Sequence, residues 1–325
     1  MEKYQPVFNI TPQSVNLSFK IAQDLERINI IAERVLTPKL RRENRIKTIR
    51  SSLYIEANTL TLEQVADIID GEKVIGPKRD IDEVKGAKEA YDHLLECNPS
   101  SVKDLLKEHQ YMMRRVIPDA GHFRAKGVAV FAGDMPIHVA PPAEAVPDLV
   151  QQLFDWYKDS DLSIIYKSCI FHYEFEFIHP FSDGNGRVGR LWHMLLLHQE
   201  NPVFGWLPIE TIIAANQEAY YQAIQDSTKH NDSGIFAEFM LKVIAKAVAD
   251  FRNSHEVLGN RALTDDEELV LNIIKDNPSA SYAEISAILG KTEKTVGRIL
   301  TNLKDREIIS RNGSNKTGIW VVNQM

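Results

Sequence analysis

The sequence predicts a mainly α-helical chain: a helical body over about residues 1–255 carrying one small β-hairpin, then a winged helix-turn-helix domain over 256–325. Three observations predict it. Apolar residues recur at helical spacing through nearly all of the body. One stretch breaks that pattern, where glycines surround the alternating Val128 and Val130, and it predicts a hairpin over about 128–139. The C-terminal order of helix, helix, glycine turn, helix and two β-prone runs is that of a winged helix.

Taken in order, residues 16–35 and 39–58 read as two helices divided by Thr37-Pro38. Thr61 and Gln64 form a capping-box pattern opening a short helix that Gly71 stops. Helical patterns follow at 80–96 and 102–116, then the hairpin. A helix after Pro141-Pro142 places Val146, Leu149, Val150, Leu153, Phe154 and Tyr157 on one face. The segment 162–178 is apolar nearly all round, as a buried central helix should be. Further helices are expected at 185–198 and within 209–251. In the tail, helices are expected at 266–276, 282–289 and 293–305, with strands at 308–311 and 318–322. The domain division is 1–110, 111–255 and 256–325.

Composition excludes several classes. With 325 residues, 44% of them hydrophobic, the chain can bury cores, so global disorder is not expected. No apolar run approaches the roughly 20 residues that cross a bilayer, so no membrane partner is expected. The start Met1-Glu-Lys-Tyr-Gln has no apolar region of a secretory leader. Cys97 and Cys169 are the only cysteines, which rules out a disulfide framework and points to a reducing, cytoplasmic setting. The net charge of −7 is uneven: from Lys291 onward seven basic residues face three acids, +4, while 1–290 carries −11. An acidic body argues against a chain that coats nucleic acid; the basic tail is left as a local contact.

The most informative stretch is His179-Pro-Phe-Ser-Asp-Gly-Asn-Gly-Arg-Val-Gly-Arg190. A glycine loop leading into a helix points backbone N–H groups at an anion. Arg187 and Arg190 lie in the first turns of that helix, where cations oppose the macrodipole unless an anion joins them. A polyphosphate is the expected anion. Asp183 would repel phosphates unless a divalent cation such as Mg²⁺ mediates. His179, just ahead of the loop, suits a general base near neutral pH. Together these groups imply phosphoryl or nucleotidyl transfer.

This stretch resembles the Fic motif, HPF-x-[DE]-G-N-[GK]-R-x-x-R, at every specified position, and the resemblance reaches upstream through Gly121-His-Phe-Arg124, the hairpin and the helix after Pro141-Pro142. It implies a Fic-type helical bundle with a hairpin flap, and transfer of AMP from ATP to a protein hydroxyl with release of pyrophosphate. It makes His179 the base, Asp183 the Mg²⁺ ligand, Gly184, Asn185 and Gly186 the α-phosphate site, and Arg187 and Arg190 the β- and γ-phosphate contacts. It implies a protein target paired along the hairpin by strand addition, and self-modification. Phe181 fits a buried anchor. Tyr220 or Tyr221 stands either near adenine or in the core. A transition-metal site at His172, Glu176, His179 and Asp183 is the rival reading of that helix face, weakened by the break at Pro180.

Ser51-Ser-Leu-Tyr-Ile-Glu-Ala-Asn58 resembles the inhibitory motif [ST]-x-x-x-E-[GN] of Fic proteins that carry their own N-terminal inhibitor, with Ser52 and Glu56 matching and Ala57 departing. The resemblance implies that Glu56 occupies the guanidinium of Arg190 and blocks the γ-phosphate. A helix running on through 57 would instead carry Glu56 away. Three functions follow: a protein adenylyltransferase held by Glu56, the reverse hydrolase that removes AMP, or a DNA-binding regulator whose body senses nucleotide. Residues 282–322 are the candidate DNA or protein contact, with Lys291, Lys294 and Arg298 on one face. A homo-oligomer remains open.

Overall fold

The computed structural model describes residues 4–132, 135–260, 263–306, 308–313 and 318–323 and, within them, all side chains but those of 31, 33–35, 130–138 and 255–260. The hairpin tips at 133–134 and 314–317 lie outside the described residues, as does Glu307 of the charged tail. Among the described residues no helix is long and apolar enough to cross a membrane. The chain divides into two compact units, one of residues 1–25 and 42–250, the other of 26–41 and 251–325.

The larger unit is helical apart from its hairpin. Helices α1 (Pro12–Val35) and α2 (Pro38–Ile55) each belong to it only in part, since residues 26–41 fall in the smaller unit; they are divided at Leu36-Thr37, because proline is well placed only at a helix start. The helix expected over 39–58 ends three residues early. It stops in a Schellman turn: Asn58 N–H donates to the Leu53 carbonyl and Ala57 N–H to that of Tyr54, with Ala57 in the left-handed region at φ 65°. Helix α3 (Leu62–Asp70) opens on the Thr61–Gln64 capping box and closes on Gly71 at φ 88°. Helices α4 (Lys78–His93) and α5 (Val102–Met113) pack closely, the expected 80–96 helix tightening to a 3₁₀ turn at Leu94–Glu96.

The hairpin pairs β1 (Ala129–Ala132) antiparallel with β2 (Met135–Val139), with a register shift after Val130. Helices α6 (Val146–Asp159), α7 (Ile164–Ile178) and α8 (Asn185–Glu200) form the centre. Nearly every side chain of α7 is buried, as its all-round apolarity required. Phe154, Phe171 and Trp192 knit the three helices through ring contacts of 5.2 and 5.9 Å. Helices α9 (Ile209–Ala215), α10 (Gln217–His230) and α11 (Ser233–Asn260) complete the helical run.

In the smaller unit, α12 (Asp265–Asp276), α13 (Tyr282–Leu289) and α14 (Glu293–Asp305) are followed by β3 (Ile309–Asn312) paired antiparallel with β4 (Ile319–Val322). Thr264 and Ser281 begin capping boxes, and Gly290 makes the left-handed turn at φ 65°. Val270, Ile274, Ile285, Val296, Leu300 and Trp320 form its core. This is the winged helix-turn-helix expected from sequence.

Gly86 marks where α4 and α5 touch, since a Cβ there would overlap the Met112 main-chain carbonyl. Gly→Ala within a helix gains about 1 kcal/mol of propensity, but overpacking costs about 1–3 kcal/mol and a carbonyl cannot rotate away. Gly86→Ala is therefore expected to lower the melting temperature by several degrees. Gly127→Ala, with nothing within 4 Å of its added carbon, serves as control and should melt with the wild type. Equal melting of Gly86→Ala and wild type would show that the two helices part easily.

Candidate active site

The turn after α7 sets the site. Its C-cap is His179, in the left-handed region at φ 51°, with its N–H on the Phe175 carbonyl at 3.0 Å. A non-glycine residue there costs about 1–2 kcal/mol, so neighbours must hold it. Arg124 does so: its Nε donates to the His179 carbonyl at 2.7 Å, and its main-chain N–H to that of Pro180 at 2.9 Å. His179 Nδ1 lies 3.3 Å from the Glu176 carbonyl. A carbonyl only accepts, so Nδ1 carries the proton and Nε2 is the basic nitrogen.

Phe181 is wholly buried, stacked on the His109 ring at 3.6 Å and 5°. The Gly121 N–H donates to His109 Nδ1 at 2.9 Å, which fixes the tautomer whose Nε2–H donates to the Asp183 carbonyl at 3.0 Å. Burial pushes this imidazole down to about 4, so it stays neutral. The Asn185 side chain accepts from Phe181 N–H at 2.8 Å and donates to its carbonyl at 2.9 Å. Asn185 thus staples the loop through both ends of its side-chain amide.

Helix α8 begins at Gly184, left-handed at φ 89°, where a Cβ would stand 2.8 Å from Met113 Sδ. Arg187 and Arg190 follow, both buried. Their charges are met by carboxylates. Arg187 pairs with Asp183 at 2.7 Å and with Glu83 at 3.0 Å, while Arg79 reaches the same two acids at 2.8 and 3.2 Å. The four side chains alternate in sign around a closed ring, and Asn58 donates to the remaining Glu83 oxygen at 2.9 Å.

Arg190 is 1% exposed and meets Glu56 Oε1 at 2.8 Å, with Ser52 accepting at its hydroxyl (3.1 Å) and carbonyl (3.0 Å). Burial, the largest single effect, pushes the Arg190 guanidinium down; the Glu56 charge and hydrogen bond together with Tyr220 and Tyr221 leave it raised overall. The Glu56 carboxylate also lies over Gly186, where a Cβ would collide with its Oε1. An anion therefore already sits at the start of α8, and the protein supplies it. Ala57 lets the chain turn away immediately after Glu56, so the alternative of a continuing helix that carries Glu56 away does not occur.

The structure brings Ser52, Glu56, Asp183, Gly184, Gly186, Arg187 and Arg190 together around the α8 start, with His179 at the loop's entrance. It does not bring His172 to them. That ring is buried in the core, its Nε2 3.2 Å from the Tyr220 hydroxyl and 3.7 Å from Glu176, and burial pushes it down to about 3. His172 is a core histidine, and among the described residues the metal set proposed on its helix face does not form around it. Tyr220 is core as well, while Tyr221 is half-buried and donates to the Ile55 carbonyl at the end of α2. Sequence reasoning missed Arg79, Glu83 and His109, each of which sits in an ordinary amphipathic helix pattern without a motif to mark it.

Among the described residues no group of three potential metal ligands gathers, and Asp183 is a single hard-oxygen donor, so a cation here would draw its other ligands from phosphate or water. Asp183 is one-third exposed and turns both oxygens to positive charge, Arg187 on one and Arg79 on the other.

The model of the Fic/DOC family matches residues 99–197, and that of a winged helix-turn-helix DNA-binding family matches 267–310. The protein adenylyltransferase Fic of Nematostella vectensis is 28% identical over 67% of this chain and 52% of its own length. The protein adenylyltransferase fic-1 of Caenorhabditis elegans is 33% identical over 53% of this chain and 35% of its own. The chain thus spans about half or less of the length of these curated relatives. The crystal structure of a Fic family protein from Desulfovibrio desulfuricans is 39% identical, covers 99% of both chains and superposes with a TM-score of 0.75. At that identity over the full length, with the loop geometry above, the chain belongs to the Fic family.

Proposed function

We propose that this chain is a protein adenylyltransferase resting with its own carboxylate in the nucleotide's place. The observation that carries the reading is the Glu56 side chain, which fills the anion cradle over Gly186 and takes the fork of Arg190. ATP enters as Glu56 leaves. The α-phosphate then lies at the N–H groups of Gly184, Asn185 and Gly186, with Arg187 toward the β-phosphate and Arg190 toward the γ-phosphate. Asp183 would hold Mg²⁺, which when bound would neutralise phosphate charge. A Ser, Thr or Tyr hydroxyl of a target segment aligned on the 128–139 hairpin attacks the α-phosphorus. Its proton passes to His179 Nε2, the new P–O bond forms, and the bond to the β-phosphate oxygen breaks to release pyrophosphate. The relatives named as protein adenylyltransferases support the reaction class.

The reverse hydrolysis, with Glu56 orienting a water, uses the same groups and is favoured by a carboxylate standing at the cradle; release of AMP from a modified protein separates the two. In the tail, Lys294 and Arg298 are exposed on α14 and suit phosphate contact with DNA.

His179→Ala is expected to lower AMP transfer by about 10²–10⁴-fold while calorimetry finds Mg²⁺–ATP binding intact, because the phosphate cradle does not use the imidazole. Transfer at the wild-type rate would remove His179 from the reaction.

Glu56→Gly should raise ATP affinity and self-labelling, since it leaves a buried Arg190 seeking an anion. Arg190→Ala should lower both in either background, and the two changes should not add. Unaltered labelling in Glu56→Gly would sink the brake.

Ala57→Gly tests the turn itself. It relieves a left-handed alanine worth about 1–2 kcal/mol, less the entropy glycine adds to the unfolded chain. The brake should tighten, with self-labelling down roughly two- to fivefold. A rise would mean that strain at Ala57 does not oppose the brake.

A further inference from the structure

Arg124 is 3% exposed, and the hydrogen bonds described for its guanidinium all end on main-chain carbonyls. Nε reaches His179 at 2.7 Å, Nη1 reaches Lys126 at 2.9 Å, and Nη2 reaches Pro141 at 2.6 Å and Ile178 at 3.3 Å. Burial lowers its guanidinium from the ordinary value and the Glu144 charge offsets this only in part. A cation is held in the protein at some cost, with carbonyl dipoles in place of a counter-ion.

The carbonyls it gathers come from two places. Ile178 and His179 are the last of α7, where unpaired carbonyls and the negative end of the macrodipole favour a cation. Lys126 and Pro141 flank the hairpin, whose base is closed by Ala140 N–H on the Val128 carbonyl at 3.1 Å. One planar fork therefore joins the hairpin's two ends to the left-handed residue that carries the basic nitrogen. Lysine has neither the reach nor the fixed geometry to do this.

We infer that Arg124 is a positioning residue that sets the hairpin and the His179 imidazole in one fixed register, so that a target strand paired on the hairpin delivers its hydroxyl to Nε2. This rests on the adenylyltransferase reading for its consequence and on the four carbonyl contacts for its geometry. Arg124 touches neither nucleotide nor target. Its loss lets the base and the flap move separately while the phosphate cradle stays in place.

The test uses the full chain with Glu56→Gly to release the brake, ATP labelled at the α-phosphate for self-labelling, and calorimetry with Mg²⁺ and a non-hydrolysable ATP analogue. Arg124→Met is expected to slow labelling on the order of 10²-fold, the cost of misplacing a reacting group by about 1 Å, with analogue affinity unchanged. Arg124→Lys should recover part of the rate. In a His179→Ala background Arg124→Met should cost nothing more, because it acts through the base. Hydrogen exchange supplies an arm independent of activity: the amides of His179 and Ala140 should exchange faster together in Arg124→Met. Loss of analogue affinity in step with rate in both variants, an additive loss with His179→Ala, or acceleration of only one of the two amides would overturn the inference. Failure of the Glu56→Gly parent to label at all would count against the transferase reading alone, and the exchange result then decides for Arg124. Should Arg124→Met not fold by circular dichroism, Arg124→Lys carries the same comparisons.

Discussion

Arg190, with 1% of its side chain exposed, is held by an anion inside the protein, and it shapes the larger unit through that pairing. Two charges taken from water cost several kcal/mol each, and the pair recovers this only with good geometry and further hydrogen bonds. Ser52 supplies two of those bonds and Glu56 the charge, so the end of α2 is bound to the start of α8. Removing either partner leaves the other stranded. The same buried cation is ready for any anion that fits, which is how a structural need becomes a binding site.

Around this pair, the loop between α7 and α8 is held along its length without using the groups proposed for chemistry. Arg124 takes the carbonyls of 178 and 179, Asn185 both backbone groups of Phe181, and His109 the Phe181 ring and the Asp183 carbonyl. None of these contacts is made by the His179 imidazole, the N–H groups of α8 or the Asp183 carboxylate, which Arg79 and Arg187 hold. Rigid support from buried side chains keeps such groups within tenths of an ångström of their working places, which polyphosphate chemistry requires more than it requires any single strong contact.

Much of this was legible in the chain. Helical periodicity, the capping boxes at Thr61 and Ser281 and the turn at Gly290 gave the element order, because each is a local rule with a local cause. The stretch from His179 to Arg190 announced an anion site, since arginines at a helix start contradict the macrodipole unless something negative joins them. What the sequence did not carry was the identity of that negative group at each arginine. Arg187 meets Asp183 four residues before it, but it also meets Glu83 of α4, and Asp183 meets Arg79 of α4, about a hundred residues away in the chain, where no spacing rule applies. His172 looked like a ligand by its spacing to Glu176 and His179, yet spacing along a helix says nothing about depth, and it lies in the core. The helix through 58 failed for a different reason: alanine is the best helix former, so its left-handed turn at Ala57 runs against propensity, between Glu56 bound to Arg190 and Asn58 bound to Glu83.

That turn bears on how strongly the brake holds. An alanine at φ 65° gives back about 1–2 kcal/mol of whatever the Glu56–Arg190 pair and the Schellman bonds contribute. A ligand can shift such an equilibrium only by its preference for the open state, about 2.7 kcal/mol at a hundred times its dissociation constant. A brake as strong as a fully buried pair, 3–5 kcal/mol to break, would exceed that and stay shut. Glu56 is not fully buried: its side chain is 29% exposed, where water weakens the attraction. Strain at Ala57 and partial exposure of Glu56 therefore act in the same direction, lowering the brake into the range that a nucleotide, or a partner that pulls on α2, is able to overcome.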